Sequence, residues 1–176
     1  MGSIKDPGKA LALIGLIYNR DFDLELVMPD IIDRLGKIAL RSSTAAFDQT
    51  DYYTSEMGAD LVRQWLVFGQ TIAPEDLAGL KTWSNGIEER HRSEAGGRMV
   101  NIDPGIITLN NLILASTKNY SHRIYLGQGI FAEVTLIYRH GRFQILEWTY
   151  PDYRTEAALA FFAKGRELLK ETISIL

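Results

Sequence analysis

Two short turn signals, His140-Gly141 and Gly127-Gln128-Gly129, constrain this chain more than any other feature. Each stands between runs of branched and aromatic residues, and a two-residue loop ending in glycine is a strong local sign of a β-hairpin. They predict three antiparallel strands, over about Ser121 to Leu126, Ile130 to Arg139 and Arg142 to Thr149. Loop length also fixes which residues face one another. The first turn sets Tyr138 opposite Phe143, Ile137 opposite Gln144 and Leu136 opposite Ile145. Continued, it sets Thr135 opposite Leu146, Val134 opposite Glu147 and Glu133 opposite Trp148. The second loop sets Tyr125 opposite Phe131, Ile124 opposite Ala132 and Arg123 opposite Glu133. One face then carries Ile124, Ala132, Val134, Leu136, Tyr138, Phe143 and Ile145 and reads as core. The other carries Arg123, Tyr125, Phe131, Glu133, Thr135 and Trp148.

Upstream, Ala10 to Tyr18 is an unbroken apolar run of strand length, as expected of a central strand covered on both faces. Leu24, Met28, Ile31, Ile32 and Leu35 fall at helical spacing up to Gly36, with Pro29 bending or shortening the start. Lys37 to Phe47 reads as a second strand and Asp48 to Gly58 as a loop with one helical turn. Leu61 to Ile72 reads as a third strand. Pro74 opens a helix that runs to about Arg92, and Arg98 to Ile102 is a fourth strand, closed by a turn at Asp103-Pro104-Gly105. Thr108 to Ser116 reads as a short helix on the spacing of Leu109, Leu112 and Ile113. A final helix follows Thr155. Strand, helix, strand, strand, helix, strand is the split βαβ, ferredoxin-like order. The expected fold is therefore α+β: a ferredoxin-like antiparallel sheet extended by a C-terminal meander and a last helix, in one domain over 1–176 with residues 1–9 disordered.

Composition removes several chemistries. The 176 residues include no Cys, which excludes disulfides, thiolate metal sites and cysteine nucleophiles. A net charge of -3 gathers neither nucleic acid nor an anionic membrane. The run Ala10 to Ile17 is too short to span a bilayer, and a cytoplasmic protein is expected. Phosphate-loop, dinucleotide, nucleophile-elbow and zinc-protease motifs are missing.

Candidate site residues gather in three places. The sheet face offers Arg123, Glu133, Thr135, Trp148 and Tyr125, with aromatic rings for stacking and a guanidinium fork suited to phosphate or carboxylate. WTYPDYR adds Tyr150, Asp152, Tyr153 and Arg154, and DQTDYYTSEMG adds Asp48, Asp51, Tyr52, Tyr53 and Glu56. No spacing there matches a metal loop, so no metal site is assigned. Asn101, Lys118 and Asn119 complete the binding set, and Glu133, Asp103 and His122 are the acid–base candidates. Bland readings stand beside these: a solvated face with a cross-strand ion pair, a helix cap at Asp152, a structural His122.

TDYYTSEMG, NIDPG, LASTKNYSHRIYLGQGIFAEVTL and WTYPDYR resemble the signature blocks of a bacterial and archaeal family of unknown function, DUF4416. The resemblance runs from about Ala10 to Ile173. It implies no activity or cofactor, because the family has none established. Some members are labelled GTP-binding, but this chain has no phosphate loop or guanine-reading motif to match that label. The expected function is binding of a small anionic or nucleotide-like molecule, with turnover left open. The alternative is an interaction or self-assembly module that uses the aromatic sheet face.

Overall fold

The computed structural model describes residues 2–50 and 52–174, so Asp51 lies outside the described residues. In chain order the strands are β1 (Ala10–Asn19), β2 (Ile38–Arg41), β3 (Ala45–Ala46), β4 (Leu61–Ile72) and β5 (Val100–Ile107). They continue as β6 (Asn111–Ser116), β7 (Arg123–Gly127), β8 (Ile130–Arg139) and β9 (Arg142–Ile145). The helices are α1 (Met28–Leu35), α2 (Thr54–Met57), α3 (Leu77–Arg90) and α4 (Glu156–Ser174). The fold is α+β, with one antiparallel sheet in the order β2-β4-β1-β5-β6-β8-β7, β3 beside β4 and β9 beside β8. No described helix is long and apolar enough to cross a membrane.

β1 sits inside the sheet and is apolar on both sides for a visible reason. Ala12, Ile14 and Leu16 pack with α1 and α3, while Leu11 and Leu13 pack with α4. Helices therefore cover both faces of the central strands, as the unbroken apolar run requires. Pro29 stands in the first turn of α1, where its missing N–H breaks no helical bond. The expected strand over 37–47 is two short pieces, β2 and β3, both paired to β4.

Three expectations are corrected. The stretch 108–116 is not a helix: Asn111–Ser116 forms β6, buried between β5 and β8. Its apolar spacing fitted either element, and the strands on both sides decided the outcome. Asp103-Pro104-Gly105 is not a turn but part of β5, paired along β1. Pro104 has no N–H to give, and β6 joins β5 only from Gly105 onward, so no ladder bond to β6 is lost. A Cβ on Gly105 would stand 2.7 Å from the Ile113 carbonyl oxygen, so this close approach of β5 and β6 needs glycine.

The third correction concerns the meander. Both hairpins have the expected registers, from Arg139↔Arg142 to Leu136↔Ile145 and from Tyr125↔Phe131 to Arg123↔Glu133. His140 and Gly141 take φ of 52° and 78°, as a primed turn demands. β9 stops at Ile145, however, so Thr135–Leu146, Val134–Glu147 and Glu133–Trp148 do not pair. The cause is a bulge. Along β6, Leu112 faces Leu136 but Ile113 faces Val134, which leaves Thr135 as an extra residue. A bulge switches the alternation of side chains between the two faces. Leu136 therefore lies in the α4 core while Glu133, an odd number away, faces the same way opposite Leu114. The polar residues Glu133 and Thr135 are buried, whereas Ile124 and Ile145 are exposed.

Candidate functional site

β5 pairs with β1 along its whole length but with β6 only over Gly105–Ile107. β6 runs on beside β8 to Ser116, so the first half of β5 and the far end of β6 and β8 part company. A cavity of about 710 Å³ occupies the opening, bordered also by α3, the loop around Phe47 to Tyr53, and Tyr150 to Tyr153.

The parting leaves Ile102 of β5 without a strand partner on that side, and α3 supplies one from side chains. Glu88 Oε1 accepts from the Ile102 N–H at 2.7 Å, while Lys81 Nζ and Ser84 Oγ both donate to its carbonyl at 3.1 Å. Residues 81, 84 and 88 share a helix face, so one turn-spaced polar stripe serves one edge of β5. Lys81 also donates to Asp103 Oδ1 at 3.3 Å, and Asn101 Nδ2 donates to Asp103 Oδ2 at 2.6 Å. Arg98 ties the outer end, with Nη1 2.9 Å from Glu88 and Nη2 2.8 Å from Glu56. That bond holds the Glu56 carboxyl below its ordinary value. Burial alone would raise Asp103, but Lys81 and Arg63 outweigh it and keep the carboxyl low.

Arg63 enters the cavity from β4. Its Nε donates to Asp152 Oδ2 at 2.6 Å, and its guanidinium carbon lies 5.3–5.7 Å from the ring centres of Phe47, Trp65 and Tyr153. Nη1 is buried with no hydrogen-bond partner, 3.8 Å from Asp103 Oδ2, and the buried Tyr153 hydroxyl also lacks one. Both tips stand over Gly15 of β1. A Cβ there would be 2.9 Å from Tyr153 Oη and 3.0 Å from Arg63 Nη1.

The opposite wall is Glu133. Its Oε2 takes Arg123 Nε at 2.9 Å, Arg123 Nη2 at 2.8 Å and His122 Nε2 at 3.1 Å, while Thr135 Oγ1 donates to Oε1 at 3.1 Å. Arg123 gives its remaining donors to Ser116 Oγ, the Lys118 carbonyl and Tyr150 Oη. This guanidinium ties the wall together through protein partners. Burial, then the Glu133 charge, pushes the Tyr150 phenol up to about 12.

The structure thus brings Tyr52, Tyr53, Asn101, Asp103, Lys118, Glu133, Tyr150, Asp152 and Tyr153 to one cavity. At its rim the exposed Lys118 Nζ donates to Tyr52 Oη at 2.9 Å. Glu56 stands behind Arg98, and Arg123 and Thr135 stand behind Glu133. The other candidates lie elsewhere. His122 is stacked between Tyr120 and Trp148, at 5.9 and 5.1 Å between ring centres. Trp148 Nε1 and Thr149 Oγ1 donate to the Val134 and Thr135 carbonyls at 2.8 and 2.6 Å, so both serve the bulge. Arg154 donates to the Thr149 and Glu147 carbonyls, away from the cavity. Tyr125 is exposed on β7, and Asp48 and Asn119 are exposed outside the cavity lining.

Sequence reasoning passed over Arg63, Lys81, Glu88 and Arg98. Signals existed for three of them. Arg63, with Gln64, interrupts the buried apolar run of β4, where a buried charge needs partners. Lys81 and Glu88 alternate with Leu77, Leu80 and Ile87 along the buried side of a helix.

Residues 8–169 match the sequence model of a family described as "Domain of unknown function (DUF4416)". No curated protein and no solved structure matches the chain.

Proposed function

The chain belongs to the DUF4416 family, and from that premise we propose that it binds a small anionic or nucleotide-like molecule in the cavity between β5 and β8. One observation carries the reading: Arg63, Asp103 and Glu133, from three separate strands, all border one opening of about 710 Å³. Buried and half-buried charges concentrated on a concavity fit a ligand site better than they fit a stability role, since burying ion pairs adds little to stability. Lys118 at the rim suits an anionic group, and Tyr52, Tyr53 and Tyr150 supply aromatic lining for a planar one. For turnover, Asp103 is the acid–base group, because its side chain is 25% exposed and held ionised. Glu133 is already surrounded by the protein's own hydrogen-bond partners.

We read β1, β2, β4 and β5 with α1 and α3 as the split βαβ, ferredoxin-like unit. The order β2-β4-β1-β5, antiparallel throughout, supports that reading, as does the packing of both helices in one core cluster. The cavity then lies where the appended meander leaves that unit.

Thermal-shift screening with nucleotides, sugar phosphates and carboxylates tests the binding proposal. A ligand at about 100 times its Kd stabilises by roughly 2.7 kcal/mol, an easily read rise in Tm. At least one class is expected to raise it, and less so in Tyr52→Ala. A flat response across all three classes overturns the proposal.

A second reading, self-assembly, is favoured by one observation: Ile124, Tyr125 and Leu126 are exposed on β7, at the end of the sheet path. Sedimentation of wild type and Ile124→Lys distinguishes it. A dimer lost in the variant supports assembly, and a monomer throughout overturns it.

A further inference from the structure

Resting on the ligand-binding reading, the deep end of the cavity restricts what class of ligand fits. Arg63 Nη1 and Asp103 Oδ2 stand 3.8 Å apart there. That is too far for a hydrogen bond and near enough for one oxygen atom to reach both. Nη1 can only donate, and an ionised Asp103 can only accept. A single atom that satisfies both must accept one hydrogen bond and donate another. A carboxylate oxygen or an oxygen of a doubly ionised phosphate ester has no proton to donate, and an ammonium has no lone pair. An anion at this point would also meet the charges of Asp103 and Asp152, which already flank Arg63. A hydroxyl group meets the requirement.

Asp103 has capacity for more than one such contact. Lys81 takes one oxygen and Asn101 the other, leaving further lone pairs on a carboxylate that is 25% exposed. The partners are fixed in place: Nε of Arg63 is held by Asp152, and three aromatic rings surround its guanidinium. Such preorganisation favours recognition of one geometry over adaptable solvation.

We propose that the deep end of the cavity recognises sugar hydroxyls, one of them bridging Arg63 Nη1 and Asp103 Oδ2 while a neighbour donates to the same carboxylate. The anionic end of the same molecule then points outward to Lys118, past Tyr52 and Tyr150. The ligand class is a phosphorylated sugar or a ribonucleotide.

Calorimetric titration of the full chain tests this with ribose 5-phosphate, glucose 6-phosphate and AMP. Methyl phosphate above its second pKa, acetate and dideoxyadenosine monophosphate are the hydroxyl-poor counterparts. A hydrogen bond to a charged group is worth about a tenfold or greater change in affinity, so the hydroxylated compounds should bind at least that much more tightly. Asp103→Asn, checked for folding by circular dichroism, should shrink the difference. The comparison among ligands on the wild type stands even if that variant does not fold. Equal affinity for AMP and its dideoxy form, or binding of the hydroxyl-poor anions alone, overturns the hydroxyl proposal and leaves the binding site standing. No binding by any compound overturns both.

Discussion

Arg123 and Glu133 face each other across β7 and β8, and the guanidinium reaches the carboxylate twice, through Nε at 2.9 Å and Nη2 at 2.8 Å. Both side chains are nearly closed to solvent, at 4% and 1%. Desolvation makes such a pair a weak source of net stability, yet breaking it is costly because one charge is left buried alone.

Glu133→Gln should therefore destabilise the protein by about 3 kcal/mol, well above the 0.2–1 kcal/mol of roughly an exposed cross-strand pair. Urea denaturation of the variant measures it. A change under about 0.5 kcal/mol would mean that the wall is held by something other than this carboxylate.

The bulge offers a second test. Thr149 is 1% exposed, and its Oγ1 accepts from the Leu146 N–H at 2.8 Å while donating to the Thr135 carbonyl at 2.6 Å. Thr149→Val keeps the shape and leaves both backbone groups unsatisfied, for a loss of about 2–4 kcal/mol. Thr149→Ser should stay close to wild type. Equal losses in the two variants would assign the effect to packing instead.

Much of this fold can be read from the residues. The apolar run of β1 marked a strand with helices on both faces, and two turns of fixed length set registers that hold from Arg139↔Arg142 to Leu136↔Ile145. What escaped depends on contacts between distant segments. Leu109, Leu112 and Ile113 fit a helix as well as a strand, and only β5 and β8 on either side decide for β6. Nothing local marks Thr135 as a bulge, yet that residue decides that Glu133 faces inward. The site was half legible for the same reason. Asp103, Tyr52, Glu133 and Tyr150 stand out as polar or aromatic residues in distinctive stretches, whereas Arg63 and Lys81 sit inside a mostly apolar strand and a helix.

Acid sensitivity follows from the carboxyls. Asp103 titrates below its ordinary value of 3.8 in the folded chain. Its contribution is therefore complete above the unfolded value and lost as pH falls through the folded one. Glu88 has the opposite sign: burial raises it despite Lys81, so its contribution shrinks as pH rises from 4.5 toward the folded value. Asp103→Asn should be less stable than wild type near neutrality and lose less on acidification, so the two curves converge below about pH 4. Denaturation across a pH series reads this directly, and parallel curves would rule out Asp103 as a source of the acid limb.

Backbone amide mapping by NMR during titration with ribose 5-phosphate and AMP tests most directly whether the opening between β5 and β8 is a ligand site. Saturable shifts are expected at Asn101 to Asp103, Ser116 to Lys118 and Tyr52 to Tyr53, with Ile124 to Leu126 on β7 unmoved. Shifts confined to β7, or none at millimolar ligand, would contradict it.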